Sequence, residues 1–107
     1  MNSVEKKFLL KFNRLKLIYQ PNVLNHKIVK WRPDFLDEGT GIYYEVVGTR
    51  QSFYEHKRKG HFDFMLKNNL KLMIVIYIKE IRINKDIIKK EAFKLLPYED
   101  NFVLSYK

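Results

Sequence analysis

The stretch RPDFLDEGTGIYYEVVGTRQ, residues 32–51, decides how the rest of the chain is read. Ile42 to Val47 is rich in β-branched and aromatic residues, and Glu38, Gly39, Thr40 and Gly41 ahead of it are turn formers, so Asp34 to Val47 reads as a β-hairpin. Loop length then decides what becomes of the acids. An even loop centred between Gly39 and Thr40 makes paired residue numbers sum to 79 and sets Asp34 directly across from Glu45, whereas an odd loop turns the two to opposite faces. Directly opposed residues share a face, with Cβ atoms about 4.5 to 5.5 Å apart. Two carboxylates so placed repel unless a proton or a cation comes between them.

Working outward, residues 3–18 read as a helix opened by Ser3, with Val4, Phe8, Leu9, Phe12 and Leu15 on one apolar stripe. Glu5 lies on that stripe near the helix start, where the dipole alone is reason enough for an acid. Pro21 and Asn22 break the pattern, Val23 to Trp31 reads as extended, and Pro33 suits the start of a strand. After the hairpin, Gly48 ends the strand and Thr49 is a fitting cap. A second helix is expected over 50–68, with Phe53, Tyr54, Lys57, His61, Phe64 and Met65 along one side and Gly60 as a weak point. The run LKLMIVIYI, residues 70–78, has the continuous apolar character of a strand buried on both faces. Asn84 is read as the cap of a third helix whose stripe is Ile87, Ile88, Ala92, Leu95 and Leu96 and which Pro97 ends; FVLSY, 102–106, reads as a short strand or a docked tail.

A chain of 107 residues fits one domain, and 46% apolar with 15% aromatic residues is enough to build its core. With no cysteine, disulfides, thiolate metal sites and cysteine nucleophiles are excluded. Charges run through the first residues and no stretch reaches the ~18 to 20 apolar residues of a membrane span, so a soluble, cytoplasmic protein without a membrane partner is expected. Twenty-one Lys and Arg against twelve Asp and Glu leave +9, which attracts polyanions. In RQSFYEHKRKGH, residues 50–61, Arg50, Lys57, Arg58 and Lys59 interleave with Phe53 and Tyr54, and Lys30 and Arg32 flank Trp31. Such residues suit phosphate contacts that position a duplex without reading its sequence, and equally suit a solvated helix face. His56, His61 and Asp63 are too few and too poorly spaced for zinc, and neither a glycine-rich phosphate loop nor a hydrolase triad occurs.

The inferred order and the placing of the acids resemble the PD-(D/E)XK nuclease superfamily over roughly residues 3–78, through Pro33-Asp34, Glu45, Gly48 and the helix opening Thr49-Arg50-Gln51. The resemblance implies an α/β, restriction-endonuclease-like core: helix-strand-strand-strand-helix-strand, with a mixed central sheet flanked by helices. It implies that Asp34 and Glu45 bind Mg²⁺, or Mn²⁺ in its place, with Glu5 as an accessory ligand, in an endonuclease that hydrolyses DNA. Small replication-repair and homing endonucleases of the superfamily are the nearest by pattern. The superfamily's lysine two residues beyond the strand acid is absent, since Val47 stands there. Superfamily members move that basic or polar group onto the following helix or replace it with glutamine, which makes Gln51 and Lys57 the candidates to orient the attacking water. One site per chain implies a homodimer or higher homo-oligomer for cutting both strands. The alternatives are a non-catalytic nucleic-acid-binding protein of nuclease-like fold and a small interaction protein whose charge is incidental.

Overall fold

Asn2, not Ser3, caps the first helix. Its side chain accepts the Glu5 backbone N–H at 2.8 Å and Glu5 Oε1 accepts the Asn2 N–H at 2.8 Å, so each satisfies a donor the helix leaves open. In the structure, a computed structural model, the described residues are 1–21, 32–47, 51–79, 81–83, 85–88 and 91–99, with backbone alone at 51–58, 81–83 and 86–88. The expected extended segment 23–31, Gly48, Thr49 and the tail 102–106 lie outside them.

Helix α1 spans Ser3–Lys11 and is shorter than the sequence suggests. The chain turns at Phe12, and Leu17–Tyr19 forms strand β1, paired antiparallel with β2 (Phe35–Asp37). Pairing overrides helical spacing here because Leu17 and Tyr19 alternate inward around an exposed Ile18, the period-two pattern of a half-buried strand. The stripe itself faces inward as expected: Phe8 is fully buried, and Val4, Leu9, Phe12 and Leu15 pack beside it.

The hairpin forms with the even loop. Strand β3 (Ile42–Val47) pairs with β2 through Phe35↔Tyr44, Leu36↔Tyr43 and Asp37↔Ile42, every pair summing to 79. Gly41 supplies the left-handed turn residue at φ 75°. Buried Asp37 organises the loop: Oδ1 accepts the N–H groups of Gly39 (3.0 Å) and Lys16 (3.1 Å), and Oδ2 accepts the Thr40 hydroxyl at 2.7 Å. Those bonds, Thr40's above all, hold its carboxyl below the usual aspartate range and tie the hairpin turn to the α1–β1 connection.

Helix α2 (Gln51–Lys67) carries the chain from β3 to β4 (Leu72–Ile78), which lies parallel to β3. Parallel neighbours need such a crossover. Asn69, at φ 58°, ends the helix, and Leu70 N–H reaches back to Met65 C=O at 2.9 Å, the closing bond of a left-handed cap. Of the expected inward side, Met65 is buried and Phe64 half-buried, but Phe62, outside that stripe, is buried too.

The third helix is not formed. Residues 81–83 and 86–88 are a two-stranded ribbon, β5 (Ile81–Ile83) and β6 (Asp86–Ile88), and β7 (Ala92–Pro97) returns antiparallel along β4. Ile87, Ile88, Ala92, Leu95 and Leu96 match a helical stripe by spacing, yet strand β4 offers a ladder and an apolar surface that a helix there could not use. The five-stranded sheet has the order β1-β2-β3-β4-β7, mixed in direction, and the architecture is α/β with two helices among the described residues. β4 is buried along most of its length, as its sequence predicts. No helix among the described residues is long and apolar enough to cross a membrane.

The sheet divides two cores. On the α1 side lie Phe8, Phe35, Tyr44, Val46 and Val75; on the α2 side lie Val47, Phe62, Met65, Leu72, Ile74, Ile76 and Tyr98.

Candidate metal centre

Strands β1, β3 and β4 run in one direction, so their carboxyl ends meet at one edge of the sheet, where ligands of open α/β sheets commonly bind. Asp34, just ahead of the oppositely directed β2, lies at that edge with Tyr19, Gln20 and the Glu45–Val47 end of β3. Packing of Phe8 against Phe35 and Tyr44, with ring centroids 5.5 and 5.6 Å away, brings in the first turn of α1 and with it Glu5.

Asp34 is anchored three ways. Pro33 before it is fully buried; Oδ2 accepts the Val46 N–H at 2.8 Å; and its own carbonyl accepts the Gln20 N–H at 2.8 Å. The Glu5 carboxyl, buried at 6% exposure, comes within hydrogen-bonding reach of the Asp34 carboxyl. Burial, first, and this contact with Asp34 raise Glu5 above the usual glutamate range. The same burial effect, joined by the charges of Glu5 and Asp34, raises the Tyr19 phenol.

Glu45 stands in register across from Asp34 and is buried at 1% exposure. Its strand neighbours Tyr43 and Val47, and Ile74 paired with it on β4, all belong to the α2-side core, so by alternation its side chain faces α2. Asp34 therefore sits at the sheet edge with Glu5 reaching it from the α1 side and Glu45 placed on the α2 side. Among the described residues no group of three or more His, Asp or Glu side chains is arranged to hold a metal ion. The Glu5 and Asp34 carboxyls are in mutual contact. Mg²⁺ is usually held by one or two carboxylates, with waters and substrate oxygens completing its octahedron, and this pair fits that donor set.

The Glu5 environment predicts a measurable stability change. Folded Glu5 holds its proton more tightly than unfolded Glu5, so without metal its contribution is complete below about pH 4.5 and is lost as pH rises above that. Gln at position 5 can still accept the Asn2 N–H and can donate to Asp34. Glu5→Gln should therefore melt a few degrees higher than the parent at pH 7 in chelator, with the difference vanishing near pH 4. Thermal melts across that range read both ends.

The basic residues named from sequence are only partly placed. Arg32 is exposed beside Pro33. Lys59 is exposed and pairs with Asp63 at 3.1 Å, the arrangement of a solvated helix face. Gln51 is the first residue of α2, and Lys57 and Arg58 lie within it, backbone only; Lys30 and Arg50 are outside the described residues. Of the zinc candidates, Asp63 instead accepts a hydrogen bond from the Tyr98 hydroxyl at 2.5 Å. Sequence reasoning missed Tyr19 and Gln20, which fall unassigned between the expected helix end at residue 18 and the break at Pro21; the β-forming Leu17-Ile18-Tyr19 run before Pro21 was the available signal. Comparison of the chain with models of protein families, with curated proteins and with solved structures yields no match.

Proposed function

We propose that the chain is a Mg²⁺-dependent endonuclease, also served by Mn²⁺, that hydrolyses DNA phosphodiester bonds on a restriction-endonuclease-like core. The observation that carries this reading is the contact of the Glu5 and Asp34 carboxyls at the carboxyl edge of the sheet, an arrangement that a divalent ion relieves in place of the shared proton. The order helix-strand-strand-strand-helix-strand from α1 to β4, and the register that sets Asp34 across from Glu45, support it. Asp34 would be the shared ligand, with Glu5 and Glu45 on its two sides. A cation held there supplies positive charge to the transferring phosphoryl group and hydroxide near neutral pH. Gln51, at the start of α2, or Lys57 in its second turn, would orient the water. Arg32, with Lys30, Arg50, Lys57, Arg58 and Lys59, would hold the backbone of a duplex. Hydrolysis adds water across one P–O bond and leaves a hydroxyl and a phosphomonoester, and a homodimer would deliver the second cut.

The test is nicking of supercoiled plasmid by the purified chain in Mg²⁺ or Mn²⁺, abolished by chelator. One observation favours a second reading, a nucleic-acid-binding protein of the same fold without turnover: Val47, where the superfamily's lysine would stand, is fully buried in the α2-side core. That reading predicts salt-dependent DNA binding and intact plasmid in either metal.

A further inference from the structure

We infer that Tyr19 is a hydrogen-bond donor at the Glu5–Asp34 edge of this site, the positioning residue that holds a phosphate oxygen there. The inference rests on the endonuclease reading and assigns a role that neither Val47 nor the acids can fill.

Carboxylates only accept hydrogen bonds when ionised, so a site built from Glu5 and Asp34 has no donor of its own for an anionic substrate. Tyr19 stands next to them. It pairs with Phe35, the residue after Asp34, and its ring lies 5.5 Å from that of Phe35, which fixes the direction in which the phenol leaves the strand. The ring is half-buried, so the hydroxyl is carried on a rigid, packed platform.

Gln20 completes the arrangement. Its side-chain Nε2 donates to the Tyr19 hydroxyl at 3.2 Å, while its backbone N–H donates to the Asp34 carbonyl at 2.8 Å. It makes both bonds at φ 46°, a left-handed conformation that a glutamine rarely occupies and that costs free energy unless its surroundings impose it. Because the phenol oxygen accepts from Gln20, its own proton is left to donate elsewhere. A neutral donor also suits the place: an ammonium there would pair with the acids and compete with a cation, as a phenol does not.

The full chain carrying Tyr19→Phe, which keeps the ring and its packing, tests this. Three readouts are compared with the parent: melting temperature, Mn²⁺ affinity by calorimetry, and duplex cleavage in Mn²⁺ resolved into kcat and KM. A merely structural tyrosine would move the first two. The expected result is an unchanged melting temperature and Mn²⁺ affinity with kcat lowered about tenfold or more, the scale of losing one aligned donor. A kcat within twofold of the parent overturns the assignment. If the parent itself does not cleave, the endonuclease reading fails, and Tyr19 is judged on duplex affinity in Ca²⁺: a several-fold loss for Tyr19→Phe that disappears in chelator sustains the donor role, and equal affinity overturns it.

Discussion

Asp34→Asn is expected to lower metal-dependent DNA cleavage by about 10³-fold or more while leaving the melting temperature close to that of the parent. The substitution separates two things this residue does. As a hydrogen-bond acceptor it terminates the edge of β3, taking the Val46 N–H on Oδ2, and an asparagine oxygen can do the same. As a charge it faces Glu5 and lies across the hairpin from Glu45, and that charge is what a divalent ion requires. Asp34→Ala is the less informative change, since losing the acceptor leaves the Val46 N–H unsatisfied at a cost of about 1 to 3 kcal/mol. Glu45→Gln should match Asp34→Asn if both carboxylates hold the ion. Plasmid nicking in Mn²⁺, with circular dichroism as the folding control, measures the pair; an Asp34→Asn protein that cuts within about threefold of the parent rate ends the metal-ligand assignment.

Phe8→Ala should be the most damaging single change to the fold. The ring is fully buried and meets Phe12, Phe35, Tyr44 and Phe93 at centroid distances of 4.8, 5.5, 5.6 and 5.6 Å. Truncating such a residue costs about 3 to 5 kcal/mol, a large part of the stability of any domain this size. Melting should fall by roughly 15 to 25 °C in a thermal scan. The site should suffer with it: Phe8 lies one helical turn after Glu5, so a loosened α1 no longer holds that carboxyl against Asp34. Loss of Mn²⁺ affinity in Phe8→Ala well below its melting point would register this coupling.

What could be read from sequence follows how local the determining physics is. The hairpin was legible because four turn formers stand between two strand-like runs, but the choice between an even and an odd loop was not, and only the pairing of β2 with β3 around Gly41 at positive φ selects the even register. The central strand was legible because Leu72–Ile78 has almost no polar residue to suggest an exposed face. Region 84–97 was misread because apolar residues there satisfy helical spacing, and only the presence of β4 alongside selects the strand. The first helix was overextended for the same reason, since Leu17–Tyr19 becomes a strand only once β2 is there to pair with. Within the site, Asp34, Glu45 and Glu5 stand out as acids at strand and helix ends. Tyr19 and Gln20 do not, because their nearness to Asp34 comes from β1–β2 pairing between segments far apart in the chain.

Val47 constrains how this protein could ever change. It is sealed between β4 and α2 among Phe62, Met65 and Ile76, so a lysine introduced there alone would bring an ammonium into an apolar interior and unfold the chain before it could assist any reaction. Accommodating such a side chain would first require smaller neighbours that open a wet channel, each such step costing stability. Position 47 therefore cannot present a charged side chain to the carboxyl edge of the sheet without the α2-side core being rebuilt around it.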